Sequence, residues 1–412
     1  MPDCPPCTSA VCDEHDVCPT ARAADGNPER THDPQPQRVP GRRRPRLAVR
    51  RANHLRQELG PNSRVKLLTG GVCGDISHDS GFIEPVTACN AVDPISAHRF
   101  SERGAAVGLG TNAQRALEHV LPGRKDDLLK RAGAVPMNSS RSVVGSGPYA
   151  GQTIFDLSGA DPGIIVHRAS LLRELVAPLP QDSLHTNKRL AAINPTPDMD
   201  GVELVFEDRT VDRFDAVIGA DGIFSSVRSY VLQDDAGQFA ASPAGFWDCR
   251  NLTLSSWLDG PIAKGMIELC LEQDDLHGYS QWEHKATPTY VNGIVCVIGD
   301  AAHATTPWQG SGAAMAFEDA VILKEVLGNI TSSTDIKAPF KAYDAIRRPR
   351  CQRVIDSSRE TGLVLCGQHA DAGLDPEKLR ALLAPRWDFI YGLDMSAHKQ
   401  EALHKLREMQ QS

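Results

Sequence analysis

The chain has 412 residues, 41% of them hydrophobic and 23% charged, with a net charge of -8. That is enough chain for a sizeable core and two closely joined domains, and the negative balance gives no reason to expect nucleic acid or an anionic membrane as a partner. No apolar run approaches the roughly 18 residues of a membrane span, and the first stretch lacks the apolar segment of a secretory signal, so a cytoplasmic location is the expectation.

Residues 1 to about 60 are rich in Pro, Asp and Arg and offer almost nothing to bury, which predicts a disordered tail. The tail carries Cys4, Cys7, Cys12 and Cys18 with His15 among them. Only Cys4 and Cys7 have the close spacing of a zinc knuckle and no second such pair follows, so no metal site is expected. The other cysteines are scattered from Cys73 to Cys366, as reduced thiols would be. A basic run, Arg42-Arg43-Arg44-Pro45-Arg46, reads as solvated.

From Arg64 the segment Val65-Lys66-Leu67-Leu68 predicts a short strand running through Thr69 into Gly70, Gly71 and Gly74. Asp75 to Val86 has no 3.6-residue apolar period and contains Gly81 and Pro85, so it makes a poor helix. After the glycine-rich stretch Gly104 to Gly110, the spacing of Ala113, Ala116, Leu117 and Val120 predicts a helix over Asn112–Leu121. Ile164-Ile165-Val166 reads as a strand that turns helical at His167-Arg168.

Val202 to Phe206 alternates as a strand, Glu207-Asp208-Arg209 makes a polar turn, and Phe214 to Ile218 returns as a strand. It ends in Gly219-Ala220-Asp221-Gly222, where Gly222 allows a tight turn and Ser225 or Ser226 can cap a helix carrying Arg228. Between this turn and the next glycine motif only Met266 to Leu271 reads as a clear strand. Trp247, Trp257 and Trp282 in this interval are best explained as packing.

Ile294-Val295-Cys296-Val297-Ile298 fits a strand buried on both faces, as in a parallel sheet. Gly299 ends it, and Asp300-Ala301-Ala302-His303, Pro307-Trp308-Gln309-Gly310-Ser311-Gly312 and a helix from Ala313 to Leu327 follow. In that helix Ala316, Ala320, Leu323 and Leu327 form one apolar stripe. A carboxylate at a strand's carboxyl end can accept hydrogen bonds from sugar-like hydroxyls, and Gly310 and Gly312 at a helix start let a phosphate or a flat ring approach backbone N–H groups. Phe340 to Val354 reads as a helix with a basic face, and the stretch from Trp387 to the end as a closing helix with Lys and Glu at helical spacing.

The string Gly299-Asp300-Ala301-Ala302-His303, Pro307, Gly310-x-Gly312 and Glu318-Asp319-Ala320 resembles the second FAD-binding motif of the flavin-dependent aromatic hydroxylases, the class of p-hydroxybenzoate and salicylate hydroxylases. Gly219-Ala220-Asp221-Gly222 through Arg228 is similar to that family's Asp-Gly motif, in the same order along the chain. The resemblance implies an α/β, Rossmann-like FAD-binding domain with a smaller mixed-sheet substrate domain inserted in it. On that pattern residues 61–240 and 291–365 form the FAD-binding domain, 241–290 a shortened substrate domain and 366–412 a C-terminal helical segment.

The resemblance also implies the site. FAD would be held by Gly299, Asp300, Pro307, Gly310, Gly312 and Ala313 at one turn, by Asp221 and Gly222 at another, and by Arg168, Gly104, Gly71 and Gly74 toward its adenosine end. In that last region Thr69 replaces the first glycine of the expected turn, and the ribose-binding acid expected near Ile95 is absent, Asp93 being the nearest carboxylate. These departures imply that the chain holds FAD weakly. The activity implied is hydroxylation of a small phenolic or salicylate-like ring with NADPH or NADH and O₂. Trp308 stands where relatives of the salicylate type often carry histidine, and His303 reads as a structural hydrogen-bonding residue. The alternatives are a remnant of such an enzyme that binds FAD poorly, and an isoprenoid-directed FAD reductase or epoxidase.

Overall fold

The computed structural model describes the backbone of strands at residues 64–69, 74–77 and 82–87, and then residues 106–249 and 278–411 with short breaks at 138–140, 146, 158–162, 181–182, 199 and 333–334. The N-terminal tail with its cysteines and basic run, Gly71, Asp93, Gly104, Trp257 and the expected strand Met266 to Leu271 lie outside the described residues.

β1 (Arg64–Thr69) is followed by β2 (Gly74–Ser77) and β3 (Phe82–Thr87), an antiparallel pair in the stretch that lacks a helical period. β4 (Ala106–Leu109) leads into α1 (Thr111–Val120), and α2 (Lys125–Arg131) leads into β5 (Val135–Pro136). A small pair of β6 (Arg141–Val143) and β7 (Thr153–Asp156) precedes β8 (Ile164–His167), which pairs antiparallel with β4 and runs directly into α3 (Arg168–Val176). β9 (Leu190–Pro195), β10 (Val202–Phe206) and β11 (Val211–Phe214) form an antiparallel meander. The strand expected at Phe214 to Ile218 is divided: Phe214 closes β11, and beyond Asp215 β12 (Ala216–Ala220) joins a different sheet and feeds α4 (Ser226–Leu232).

β13 (Ser242–Cys249) and β14 (Gly278–Glu283) form a separate antiparallel pair, and β15 (Val291–Asn292) turns back into β16 (Val295–Val297). The remainder is helical: α5 (Asp300–His303), α6 (Gly312–Leu327), α7 (Lys337–Leu365), α8 (Pro376–Leu383), α9 (Asp388–Tyr391) and α10 (Met395–Gln411). Among the described residues no helix is long and apolar enough to cross a membrane.

The main sheet runs β15-β16-β12-β1-β2-β3. β1, β12 and β16 are mutually parallel, with Val65 opposite Ala216 and Ile218 opposite Cys296. Their carboxyl ends therefore leave the sheet at one edge, which is where ligands bind in open α/β sheets. Val295, Cys296 and Val297 are fully buried, as strands covered on both faces must be. α4 lies close against β12 because Gly219 has no side chain: a Cβ there would come within 2.5 Å of the Val227 Cβ.

α6 is enclosed rather than laid on one face. Ala316 and Ala320 of the expected stripe are only half-buried, while Ala314, Met315, Val321, Ile322 and Val326 are buried. α1, α7 and α10 pack around it, so most of its circumference meets protein and a single stripe underestimates the buried surface.

That burial includes two acids, Glu318 and Asp319, each 0% exposed. Arg347 of α7, also 0% exposed, donates from Nε to Asp319 Oδ1 at 2.8 Å and from Nη1 to Glu318 Oε2 at 2.8 Å. Arg350 reaches Glu318 Oε1 at 3.3 Å, and His303 Nε2 lies 2.6 Å from Asp319 Oδ2. Burial alone would raise the Asp319 carboxyl, but His303 and Arg347 outweigh it and hold the group at about 2. Burial alone would lower His303, and Asp319 outweighs that in turn, so the imidazole titrates well above its ordinary range. The basic face expected on Phe340 to Val354 is thus largely internal at Arg347 and Arg350.

Removing one partner of a buried ion pair strands the others, at about 3–5 kcal/mol. Arg347→Met is therefore expected to lower the unfolding free energy by that order in a denaturant titration, and a loss below about 1 kcal/mol would show the cluster to be dispensable.

Two other histidines set an acid limit. Burial, and next the Arg228 charge, depress His284 to about 3, while burial and then Arg347 depress His398 to about 4. Both groups stay neutral in the fold and take up protons in the unfolded chain below about pH 6.5, so stability is full above that pH and falls as pH drops toward the folded values. His303, held protonated in the fold, acts in the opposite direction above about pH 6.5, so denaturant midpoints are expected to fall between pH 6 and 4.5, at up to about 1.4 kcal/mol per pH unit for each of the two histidines; a flat profile there would contradict the buried neutral state.

Candidate functional site

β16 ends at Gly299, whose φ of 57° and ψ of −144° suit glycine and turn the chain sharply. The Gly299 N–H donates to Asp319 Oδ2 at 3.0 Å, so the buried ionic cluster also fixes this turn. In the one-turn helix α5 that follows, Ala301, Ala302 and His303 point inward and are buried, which leaves Asp300 exposed. Tyr343 of α7 donates to the Val297 carbonyl at 3.0 Å and holds the strand end from behind.

A short 3₁₀ turn, Pro307–Gln309, connects α5 to α6. It is tied to α7 by the Thr306 and Ser358 hydroxyls at 3.0 Å, and Gln309 Nε2 donates to the Arg386 carbonyl at 2.9 Å. Gly310 is left-handed, at φ 61°, and faces open space where a side chain would stand. α6 then begins at Gly312 with no side chain capping it, so the N–H groups of its first turn are presented toward the same edge.

The second turn leaves β12. Gly222, at φ 83°, again has nothing within 4 Å of where a Cβ would stand. Asp221 points back into its own turn: one oxygen accepts from the Ser225 hydroxyl and the other from the Val227 N–H at 3.2 Å. Ser225 caps α4 by accepting from the Arg228 N–H at 2.7 Å. Asp221 thus shapes the turn, and the open face belongs to Gly222. Burial raises the Asp221 carboxyl, against the hydrogen bond from Ser225.

Arg228 links the two turns. It is 4% exposed, and its guanidinium donates to the carbonyls of Ala302 at 2.9 Å and Ala301 at 3.2 Å in α5. It also reaches the Thr287 hydroxyl at 2.6 Å and the Phe239 carbonyl at 3.0 Å. The sequence marks Arg228 only as a helix residue, and its role depends on contacts 73 and 74 residues away.

Of the residues expected at the site, Asp221, Gly222, Gly299, Asp300, Pro307, Gly310, Gly312 and Ala313 are on turns or helix starts that follow the neighbouring strands β12 and β16. Arg168 is exposed at the first position of α3. Gly74 stands in β2 opposite Leu67, a strand position rather than a helix start. Trp282 is half-buried and meets the exposed ring of Phe224 edge-on at 5.4 Å, and Trp308 is half-buried and meets Phe246 of β13 at 5.2 Å.

A groove of about 600 Å³ along α7, lined by Arg348, Gln352, Arg353, Asp356 and Phe389 among others, includes none of the turn residues. His303, Asp319 and Cys351 come within metal-binding reach of one another, but the Asp319 oxygens already accept from Arg347, His303 and Gly299, so this group reads as an ionic lock. By contrast, an outward carboxylate at a strand end, open glycine cradles at Gly222 and Gly310 and an uncapped helix start fit a dinucleotide such as FAD.

Residues 271–358 match a family described as FAD binding domain. The chain is 28% identical to the 6-methylsalicylate 1-monooxygenase of Aspergillus terreus, over 83% of this chain and 92% of the relative. It is 27% identical to a salicylate hydroxylase of Pseudomonas putida, over 83% and 94%. Among solved structures, a salicylate hydroxylase substrate complex superposes with a TM-score of 0.57 at 23% identity, covering 73% of this chain and 90% of that one. Klebsiella pneumoniae HpxO, solved with FAD and uric acid, gives 0.52 at 21%, over 74% and 88%; at such identities these two speak to the fold alone. Motif order, fold and relatives together mark the chain as a FAD-dependent monooxygenase similar to the flavin-dependent aromatic hydroxylases.

Proposed function

We propose that this monooxygenase hydroxylates a phenolic or salicylate-like ring, consuming NAD(P)H and O₂ and placing one oxygen atom on the ring while the other leaves as water. The observation that carries the reading is the shared sheet edge, where the Gly299-Asp300 turn, the Gly222 turn and the start of α6 lie together. The relatives named for salicylate and 6-methylsalicylate support this substrate class. When bound, FAD takes electrons from the nicotinamide and activates O₂.

The protein's own part is to bind, orient and exclude water. Asp300 would accept hydrogen bonds from the cofactor's hydroxyls, and the N–H groups of Gly312 and Ala313 would face it at the helix start. Gly299 and Pro307 set the shape of that turn, and Gly310 leaves room beside it. Gly222 would admit the cofactor at the second turn, with Asp221 beside it holding that turn in shape. Arg168, Gly104, Gly71 and Gly74 belong to the adenosine end, which contributes least because its glycine turn and ribose acid depart from the pattern. Trp308, which meets Phe246 edge-on, would wall the ring site.

The substrate domain, residues 241–290 in this proposal, is a shortened one. An alignment of 414 positions with the Aspergillus relative takes up only 83% of this chain, so part of the relative has no counterpart here, which supports this reading.

Losing one charge-assisted hydrogen bond costs about 1.5–3 kcal/mol, roughly tenfold to hundredfold in affinity. Asp300→Ala is expected to weaken FAD by that factor in a fluorescence titration of the purified chain; an unchanged dissociation constant would remove Asp300 from the site. With ¹⁸O₂ and NAD(P)H, a salicylate or phenol substrate is expected to gain one labelled oxygen by mass spectrometry. A product without label across a panel of such rings would count against the hydroxylase reading.

A further inference from the structure

His284 follows β14 and stands between the two turns, yet neither motif contains it. It is 1% exposed. Its Nε2 lies 3.1 Å from the carbonyl of Ile223, the residue after Gly222. Its Nδ1 lies 3.3 Å from the backbone N–H of Ala304, the residue after α5. The His284 backbone N–H also donates to the Ala304 carbonyl at 2.9 Å. A carbonyl can only accept and an amide N–H can only donate, so these partners require a proton on Nε2 and a lone pair on Nδ1, the neutral tautomer.

The charges around it favour the same state. The Arg228 guanidinium of α4 and the protonated His303 of α5 both oppose a positive charge on His284. The bland alternative is a buried histidine that is merely satisfied. Against it stands the choice of partners: one nitrogen meets the Asp221-Gly222 turn, the other the end of the Gly299-Asp300 turn, and both partners are backbone atoms of the segments proposed to face the cofactor. Arg228 binds α5 and is anchored to Ser225 through its own N–H, on the α4 side of the Gly222 turn. His284 spans that remaining gap.

We propose that His284 is a positioning residue that, as a neutral imidazole strut, sets the spacing between the two turns so that both meet FAD; this rests on the reading of those turns as the FAD site. Its loss should loosen the Gly222–Phe224 segment and weaken the cofactor without disturbing the α6–α7 core.

The test compares the full-length parent with His284→Leu, which loses both bonds, and His284→Gln, which keeps a donor that can reach Ile223. In the FAD-free proteins, amide hydrogen exchange over Gly222–Phe224 is expected to quicken about tenfold in the leucine variant and less in the glutamine variant, with α6 amides unchanged. In fluorescence titrations the FAD dissociation constant is expected to rise about tenfold for leucine, with partial rescue by glutamine. If the leucine variant does not fold, glutamine carries both readouts, each expected to shift about threefold. FAD affinity equal to the parent's, or exchange that quickens evenly across α6 and α7, would overturn the proposal and leave a purely structural histidine. A parent chain that takes up no FAD would overturn the site reading itself and the proposal with it, an outcome distinct from a parent that binds FAD and a variant that binds it equally well.

Discussion

The pairing of Asp319 with Arg347 is the constraint on which the rest of the structure depends. A carboxylate in the middle of an enclosed helix has no access to water, so every lone pair must find a donor inside the protein. Asp319 finds three: Arg347 from α7, His303 from α5 and the Gly299 N–H from the end of β16. One side chain thereby fixes where two helices and a strand end stand relative to α6. Such a cluster gains little net stability over well-packed apolar residues, because desolvation consumes most of the attraction. Its value here is geometric, since the donors it needs are the parts that carry the glycine turn.

Seen from the sheet edge, the two turns are held in different ways. The Gly299-Asp300 turn is anchored from beneath by buried ions and by Tyr343 on Val297. The Asp221-Gly222 turn is held by short-range bonds of its own, Asp221 to Ser225 and Ser225 to Arg228. Arg228 and His284 then join the two. Polar side chains therefore work behind the site, and what faces outward is backbone, glycine and the Asp300 carboxylate, a surface suited to a large polar ligand with acceptors for the N–H groups and hydroxyl donors for the carboxylate.

How much of this was legible in the sequence depends on the range of the interaction. The stretch from Ile294 to Leu327 could be read because a buried β-branched strand, a glycine turn and an apolar helix each leave a local pattern. The Ser225 cap was legible for the same reason, its partner being three residues away. The extent of burial around α6 was not, since a stripe of small residues records one face and three helices cover the others. Nor was the ionic cluster: Arg347 lies 28 residues beyond Asp319, and nothing in its own helix distinguishes it from the exposed arginines nearby. The one available signal was an acidic pair, Glu318-Asp319, set between the apolar runs of that helix, which burial would oblige to find cations. The motif marks Asp221 for the cofactor but not the local bonds its carboxylate makes to Ser225 and Val227 at the helix start beside it.

The close approach of Gly219 to Val227 has a mechanical consequence. Because the absent Cβ lets α4 rest almost on the β12 backbone, the depth of that contact sets how far Arg228, the next residue along, extends under α5. Any side chain at position 219 would lift the helix, and the guanidinium would be drawn back from the Ala302 carbonyl with it. The smallest residue of the strand acts as the fulcrum of a lever, and clearance at one interface becomes reach at another.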